Sequence, residues 1–228
     1  MAIRIVASAA LLVGLCGAQD TPDAPAASKS LRGDARWAKN ASAVAGDVAP
    51  PPTTSNYTYM ATTTRYGLNP FTSCDMNSGQ LVAGTDYYPV ASAQAMQNMF
   101  PGGEGECCRC GRAGSGTGGA TTAAMGCGTC AKGRFIRQLP RGYYIWTPKE
   151  AEIFHKEFNI VVVDICPHID NPIWCPTTPS ETNDFSVHNH FDFAATPPHF
   201  DNFYFEFTPT ECSDEMKARI SAMSSCHP

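Results

Sequence analysis

Alternating apolar and polar residues predict several short β-strands. The clearest are "NIVVVDIC" at 159–166, which is largely apolar, and "NFYFEFTP" at 202–209, in which every second residue is phenylalanine from 203 to 207. Weaker patterns predict strands in "YTYMATTTRY" at 57–66 and "GYYIW" at 142–146. Gly, Pro and Cys separate these runs, as they do in small domains built mainly from strands and turns.

Three other segments have the spacing of amphipathic helices. "PVASAQAMQNMF" at 89–100 begins with proline, which is favoured in the first turn of a helix. "TPKEAEIFHKEF" at 147–158 begins with a capping box, and "SDEMKARISAM" at 213–223 repeats apolar residues every three or four positions. Short strands with a few helices favour a small closed β-barrel.

The composition changes twice along the chain. Residues 1–18 combine one arginine with an apolar run and small residues, which predicts a signal peptide. Residues 19–56 are rich in Ala, Pro, Ser and Thr and predict a disordered tether that carries glycosylation sequons at Asn40 and Asn56. We therefore expect a barrel domain at 57–213 and a helical C-terminal tail at 214–228.

Charge and hydropathy indicate where the protein works. No segment after the predicted signal peptide approaches the length of a membrane-spanning helix, so we expect a secreted, extracellular protein that does not bind membranes. The net charge of −5 argues against nucleic acid as a partner, because nucleic-acid binding needs a basic surface.

The 11 cysteines include one in the predicted signal peptide, so the mature chain would keep an even number. Such a count in an exported chain predicts up to five disulfides, with the pairing left open. Cys107 to Cys110 and Cys127 to Cys130 have the spacing of a structural zinc site, but export favours disulfides over metal. We expect no metal and no cofactor.

The stretch "SVHNHFDFAAT" contains the strongest candidate for chemistry. As a strand, it places His188, His190 and Asp192 on one face and Phe191 and Phe193 on the other. The apolar face can pack in a core while the polar face presents a carboxyl group to a cleft, as a general acid requires. The alternative is an ordinary solvated aspartate on a surface strand.

Two further residues lie in and after the strand at 159–166. Asp164 shares a strand face with Ile160 and Val162, and it is either a structural carboxylate that accepts backbone hydrogen bonds or part of an active site. Trp174 is either a platform for a sugar ring or a cap over a disulfide. The sequence has no Gly-x-Ser-x-Gly or His-Glu-x-x-His motif, which leaves carboxylate chemistry.

The motifs "CCRC", "VVVDICP", "DNPIWC" and "HFD" together resemble glycoside hydrolase family 45, secreted endoglucanases built on a six-stranded double-psi β-barrel. The resemblance covers about residues 57 to 213. It is closest to the subfamily in which an Asp-x-Cys-Pro strand leads to an asparagine and then a second cysteine. It implies a mainly β, disulfide-rich fold with a few short helices.

The resemblance also implies roles for individual residues. Asp192 would be the general acid of an inverting reaction, in which a water molecule lies between the acid and the base. Leu68 stands where the best-known subfamily has its base, so Asn171 would assist as base through its imidic tautomer. Asp164 would support the site, and Tyr66 would line it.

Trp174 and His190 complete the predicted substrate contacts, and the predicted partner is a β-glucan such as cellulose. We therefore predict a monomeric, secreted endo-β-1,4-glucanase. One alternative is a wall-loosening protein related to expansins and loosenins, which share the barrel and the His-Phe-Asp motif without hydrolysing cellulose. The other is a carbohydrate-binding or defence-type barwin-like module.

The resemblance also marks 111–158 as longer than in the family.

Overall fold

The computed structural model describes residues 49–97, 121–139, 154–194 and 202–223. All of them belong to one compact unit, Asn40–Pro228. The predicted signal peptide, the tether up to residue 48, the predicted strand at 142–146 and the first seven residues of the predicted helix at 147–158 lie outside the described residues. Among the described residues, no helix has the length and apolar character needed to cross a membrane.

Six strands close into a barrel, which confirms the predicted fold class. They are β1 (Tyr59–Arg65), β2 (Tyr87–Ala93), β3 (Cys130–Gln138), β4 (Phe158–Cys166), β5 (Asn189–Phe193) and β6 (Phe203–Thr210). Around the barrel the order is β1-β5-β2-β4-β3-β6. The pairs β1–β5 and β2–β4 are parallel, and the other four pairs are antiparallel. Strands far apart in sequence are therefore neighbours.

Phenylalanine side chains fill the barrel. The period-2 pattern of β6 directs Phe203, Phe205 and Phe207 inward, where they meet Phe191 and Phe193 of β5. Ring centroids of these pairs lie 4.9 to 6.2 Å apart, mostly edge to face, which is the arrangement that aromatic quadrupoles favour. The rigid interior fixes which face of β5 points outward.

Gly133 of β3 lies where a side chain has no room. A Cβ atom there would lie 2.6 Å from the carbonyl oxygen of Glu206 and would overlap the ring of Phe205. We expect Gly133→Ala to lower the free energy of unfolding by about 2 kcal/mol or more, because a packed core tolerates overpacking poorly. Urea unfolding measures this, with Gly79→Ala as control, since an added Cβ there meets only ordinary contacts at 3.7 Å. Equal stability of the two variants would contradict the packing described here.

The predicted helix at 89–100 is wrong over its described part. Residues up to Ala93 belong to β2, and Gln94–Met96 form a single 3-10 turn. Val90, Ala91 and Ser92 pair with β5 on one side and β4 on the other. Alanine and methionine favour helices, but by less than about 1 kcal/mol per residue, and two ladders of hydrogen bonds outweigh that preference. Tertiary pairing therefore decides the conformation.

The other two predicted helices had different outcomes. Phe158, the predicted end of the second helix, is the first residue of β4 and follows a turn. The third is confirmed as α2 (Asp214–Met223), with Met216 buried. Its Arg219 donates to the carbonyl oxygens of Leu81 and Ala83, at the end of a short helix α1 (Ser78–Val82) that was not predicted.

The packed domain begins before residue 57, within the segment predicted as tether. The backbone N–H of Thr54 donates to Oε2 of Glu206 at 2.8 Å, and Arg134 Nε lies 2.7 Å from Oε1 of the same carboxylate. Glu206 is fully buried and needs these partners. The guanidinium of Arg134 also lies over the ring of Tyr57. Thr54 is thus part of the domain.

Three disulfides join the described residues: Cys74–Cys127, Cys130–Cys212 and Cys166–Cys175. They confirm the preference for disulfides over zinc at Cys127 and Cys130, because each of these residues is bonded to a different, distant cysteine. Cys107, its neighbours at 108 and 110, and Cys226 lie outside the described residues.

Candidate active site

Two carboxylates lie level with each other on the outer face of the barrel. Asp192 of β5 and Asp164 of β4 both pair with Ala91 of the intervening strand β2. Residues paired across strands project to the same face, and strands are about 4.8 Å apart, so the two Cα atoms are separated by about 10 Å. Ala91 contributes only a methyl group to the floor between the two acids.

A β-bulge in β4 brings Asp164 to this face. Val90 pairs with Val162, but the next residue of β2, Ala91, pairs with Asp164, so β4 contains one extra residue. A regular ladder would have set Val163 opposite Ala91 and turned Asp164 to the face of Val162, as the sequence predicted. That prediction was wrong, and bulges re-aim side chains in this way.

Asp192 is half-buried and held in place by the neighbouring parallel strand. It pairs with Thr64 of β1, whose hydroxyl group donates to Oδ1 of Asp192 at 3.0 Å. One carboxylate oxygen is therefore fixed by a neutral donor. A proton on this acid is best placed on the other oxygen, Oδ2, because Oδ1 already accepts a hydrogen bond.

A chain of hydrogen bonds continues from Thr64 into the protein. The hydroxyl of Thr64 lies 3.0 Å from Nε2 of His190, and Nδ1 of His190 lies 2.8 Å from the hydroxyl of Thr62. The side-chain amide of Asn183 donates to that hydroxyl at 2.6 Å. Because Asn183 donates at one end and Asp192 accepts at the other, every donor in between points toward Asp192.

The direction of these hydrogen bonds determines the tautomer of the His190 ring. Thr64 uses its hydrogen on Asp192, so Nε2 of His190 carries the proton and Nδ1 accepts from Thr62. His190 is fully buried, and this burial lowers its pKa to about 3, so the ring is neutral near pH 7. A neutral ring with hydrogen on Nε2 is the form that the hydrogen bonds require.

The burial of His190 excludes the direct substrate contact predicted for it. Its ring lies beneath the loop that follows β4, 5.6 Å from the ring of Trp174. Trp174 itself is half-buried and stacks on Phe185, with the ring centroids 4.8 Å apart. Its predicted role as a sugar platform stays a prediction. His190 therefore orients Asp192 through Thr64, and sequence reasoning assigned no role to Thr62, Thr64 or Asn183.

Asp164 is held by backbone groups. Its Oδ1 accepts from the N–H groups of Ser73 at 2.8 Å and Ile165 at 2.9 Å, and its Oδ2 accepts a longer contact of 3.4 Å from the hydroxyl of Tyr66. Only 8% of Asp164 is exposed. These contacts match the structural alternative for Asp164 and join β4 to the loop after β1.

Tyr66 contacts Asp164 and lies near Asp192. Burial of its hydroxyl group raises the pKa of Tyr66, and the negative charges of Asp164 and Asp192 raise it further. The phenol therefore stays protonated and can donate a hydrogen bond. Because both carboxylates raise this pKa, the hydroxyl group of Tyr66 lies near both of them. Its contact with a sugar stays a prediction.

Asn171 lies in the loop closed by the disulfide Cys166–Cys175. Its carbonyl oxygen accepts from the N–H groups of Trp174 and Cys175, which forms one tight turn. Its half-buried side chain forms no hydrogen bond with another residue that the structure describes. The backbone of the predicted base is thus fixed.

One cluster near the site has the composition of a metal centre. The sulfur atoms of Cys166 and Cys175 and a ring nitrogen of His190 lie within 4.8 Å of one another. The two sulfurs are bonded to each other, and both ring nitrogens of His190 face threonine hydroxyl groups. The cluster therefore offers no thiolate ligand in this state.

Comparison with solved structures identifies the fold. The crystal structure of a mutant of the GH45 endoglucanase EG27II in complex with cellobiose matches with a TM-score of 0.50 and 18% identity, covering 74% of this chain and 89% of that one. A structure of EG27II at pH 8.0, also with cellobiose, matches with a TM-score of 0.49 and 20% identity over 74% and 88%. No protein-family profile and no curated protein matches the sequence.

The likeness to the first of these structures concerns the fold. It supports the double-psi β-barrel expected from the sequence motifs and agrees with the six closed strands described above. The protein is therefore a mainly β, double-psi barrel protein with a GH45-like fold.

Proposed function

We propose that the protein is a secreted endo-β-1,4-glucanase that inverts the anomeric carbon, with Asp192 as general acid. The observation that carries this proposal is the environment of Asp192, a half-buried residue with one carboxylate oxygen fixed by Thr64 and a directed chain of hydrogen bonds behind it. A GH45-like barrel supports the reaction class.

The acid step follows from this geometry. Protonated Asp192 gives its hydrogen from Oδ2 to the glycosidic oxygen as the bond from that oxygen to the anomeric carbon breaks. The carboxylate that forms keeps the hydrogen bond from Thr64 on Oδ1. Because that donor is itself held by His190, the carboxylate need not reorganise as its charge develops.

The base step is assigned to Asn171 with Asp164 in support. A water molecule attacks the anomeric carbon from the opposite face and gives a proton to the imidic nitrogen of Asn171. Inverting carboxyl pairs lie about 6.5 to 9.5 Å apart, and two strand spacings across β2 set the Cα atoms of Asp164 and Asp192 about 10 Å apart. Asp164, however, is buried and already accepts two backbone hydrogen bonds on Oδ1, which leaves it poorly placed to bind water.

Substitutions of Asn171 test the base assignment. We expect Asn171→Ala to lose about 10² or more of the hydrolysis rate, because general base catalysis typically contributes that much. Asn171→Asp should retain part of the activity and shift its pH profile, since a carboxylate accepts the same proton with a different pKa. Initial rates from pH 4 to 9 measure both. Full activity of the alanine variant would assign the base to another residue, with Asp164 or Asp184 the next candidates.

The proposed substrate is a β-1,4-glucan. The GH45 endoglucanase structure of similar fold holds cellobiose, a β-1,4-linked disaccharide. The partly exposed side chain of Tyr66 and its protonated hydroxyl group suit a neutral sugar, because they combine an apolar surface with a hydrogen-bond donor.

One observation favours the alternative, a wall-loosening protein that does not hydrolyse glucan. An amide acts as base only if its imidic tautomer is held, and the side chain of Asn171 has no hydrogen bond to another described residue. Two measurements on the wild type separate the functions: reducing ends released from soluble and crystalline glucan, and the mechanical strength of cellulose paper. Weakened paper without reducing ends would replace the glucanase proposal with the loosening function.

A further inference from the structure

The large apolar side chains that the described residues expose are concentrated on two loops. They are Tyr66, Leu68, Phe71 and Ile169, with exposed fractions of 39%, 58%, 87% and 86%. Three follow β1 directly, and the fourth follows β4. Single exposed apolar residues are normal on a surface, but a group of them on loops next to candidate catalytic groups is a candidate binding surface.

The first of these loops is fixed at both ends by the same carboxylate. Tyr66 donates to Oδ2 of Asp164 where the loop begins, and the N–H of Ser73 donates to Oδ1 of Asp164 where it returns. Within the loop, the N–H of Phe71 donates to the side-chain oxygen of Asn69 at 3.0 Å. The loop from 66 to 73 is therefore constrained although its Phe71 side chain is almost fully exposed.

The fixed loop adjoins the candidate acid. Thr64, two residues before Tyr66, donates to Asp192. Ser73, two residues after Phe71, contacts Asp164, which lies level with Asp192 across one strand. Phe71 thus lies on a loop whose two ends meet at the candidate site.

We propose that Phe71 is a stacking platform for a glucose unit of a neutral glucan chain outside the cleavage point, and that Asp164 positions this platform by holding its loop. The inference rests on the proposed function for the identity of the ligand. It assigns Asp164 a positioning role through Tyr66 and Ser73, in place of a direct part in the chemistry.

The chemistry of the loop favours a neutral sugar. Residues 66 to 73 contain no charged side chain and combine Leu68 and Phe71 with the polar Asn69. A pyranose ring presents C–H groups on its faces and hydroxyl groups at its edge, which matches an aromatic face beside hydrogen-bonding groups. A second copy of this chain is the other possible occupant, and the test below includes it.

Binding measured without catalysis tests the platform. Three proteins that all carry Asp192→Asn would be compared: one with Phe71 unchanged, one with Phe71→Ala and one with Phe71→Trp. The fraction of each protein that insoluble β-1,4-glucan removes from solution measures binding. We expect alanine to weaken binding by roughly fivefold and tryptophan to restore it, because the ring supplies the contact. Melting temperatures should agree within about 2 °C, since an exposed side chain contributes little to folding. Asp164→Asn should weaken binding in the same direction, and Phe71→Ala should add little to it, because both changes act through one loop.

The outcomes are distinguishable from failure of the proposed function. Glucan binding that depends on Phe71 supports the platform even if the wild type releases no reducing ends. Binding unchanged by Phe71→Ala, or lowered equally by alanine and tryptophan, would overturn it even in an active glucanase. A change in oligomeric state with glucan binding unaltered would also overturn it, in favour of self-association.

Discussion

Asp192→Asn should lower the rate of β-1,4-glucan hydrolysis by about 10² to 10⁴, the usual contribution of a general acid. The amide keeps the shape of the side chain and can still accept from the hydroxyl of Thr64 at Oδ1. It cannot deliver a proton to the leaving oxygen. Initial rates on a soluble glucan measure the loss, and binding of the same glucan should stay close to that of the wild type.

A matched control removes the same charge elsewhere. Asp86 is exposed just before β2, where it accepts from the side chain of Asn159 at 2.7 Å, and Asp86→Asn should leave hydrolysis near the wild-type rate. Equal losses in both variants would point to a general effect of charge. A fully active Asp192→Asn variant would remove Asp192 from the chemistry.

The free energy of unfolding should decrease as the pH falls below about 6.5, with His190 as one identifiable contributor. Burial lowers the pKa of His190 from 6.5 to about 3, so the unfolded chain binds a proton in this window that the folded protein does not. Above pH 6.5, His190 does not change the free energy of unfolding. Between pH 6.5 and about 3 it lowers this free energy by about 1.4 kcal/mol for each pH unit that the pH falls, and below about 3 its effect stays constant.

Replacing His190 isolates its contribution from that of the carboxyl groups. His190→Gln can still donate to Thr64 but cannot titrate, and it leaves the hydroxyl of Thr62 without its ring partner. We expect lower stability at pH 7 and a shallower slope between pH 6.5 and 4, measured by urea unfolding at each pH. Parallel slopes for the two proteins would mean that His190 is not held neutral by burial.

Strongly patterned elements could be predicted from the sequence. The phenylalanines of β6 alternate without interruption, β4 is a continuous apolar run, and α2 has its apolar residues on one face. In each case the local pattern and the tertiary environment agree. The disulfide preference was also correct for the described cysteines, because export chemistry outweighed a zinc-like spacing.

Elements that depend on their neighbours could not be predicted. β2 contains Pro89, Ala91 and Ala93, which have little intrinsic strand preference, and it forms a strand because it lies between β4 and β5. β3 includes Gly133, and the need for glycine there arises only from the ring of Phe205, which occupies the space that a side chain would need. The bulge that turns Asp164 toward Asp192 is likewise a property of pairing.

Some residues of the candidate site could be predicted from the sequence and others could not. Asp192 stood out because a carboxylate occurs in an alternating apolar strand. Thr62 and Thr64 had no such signal, because their link to His190 and Asp192 depends on the parallel pairing of β1 with β5, more than 120 residues apart in sequence. Positions joined only by strand pairing cannot be identified from local pattern.

The stereochemistry of the first product tests the proposed inverting hydrolysis most directly. Hydrolysis of a soluble β-1,4-linked oligosaccharide by the wild-type protein can be followed by proton NMR, which distinguishes the two anomers before they equilibrate. We expect the α-anomer to accumulate first, because water attacks from the face opposite to Asp192. Initial accumulation of the β-anomer, or no cleavage at any pH from 4 to 9, would contradict it.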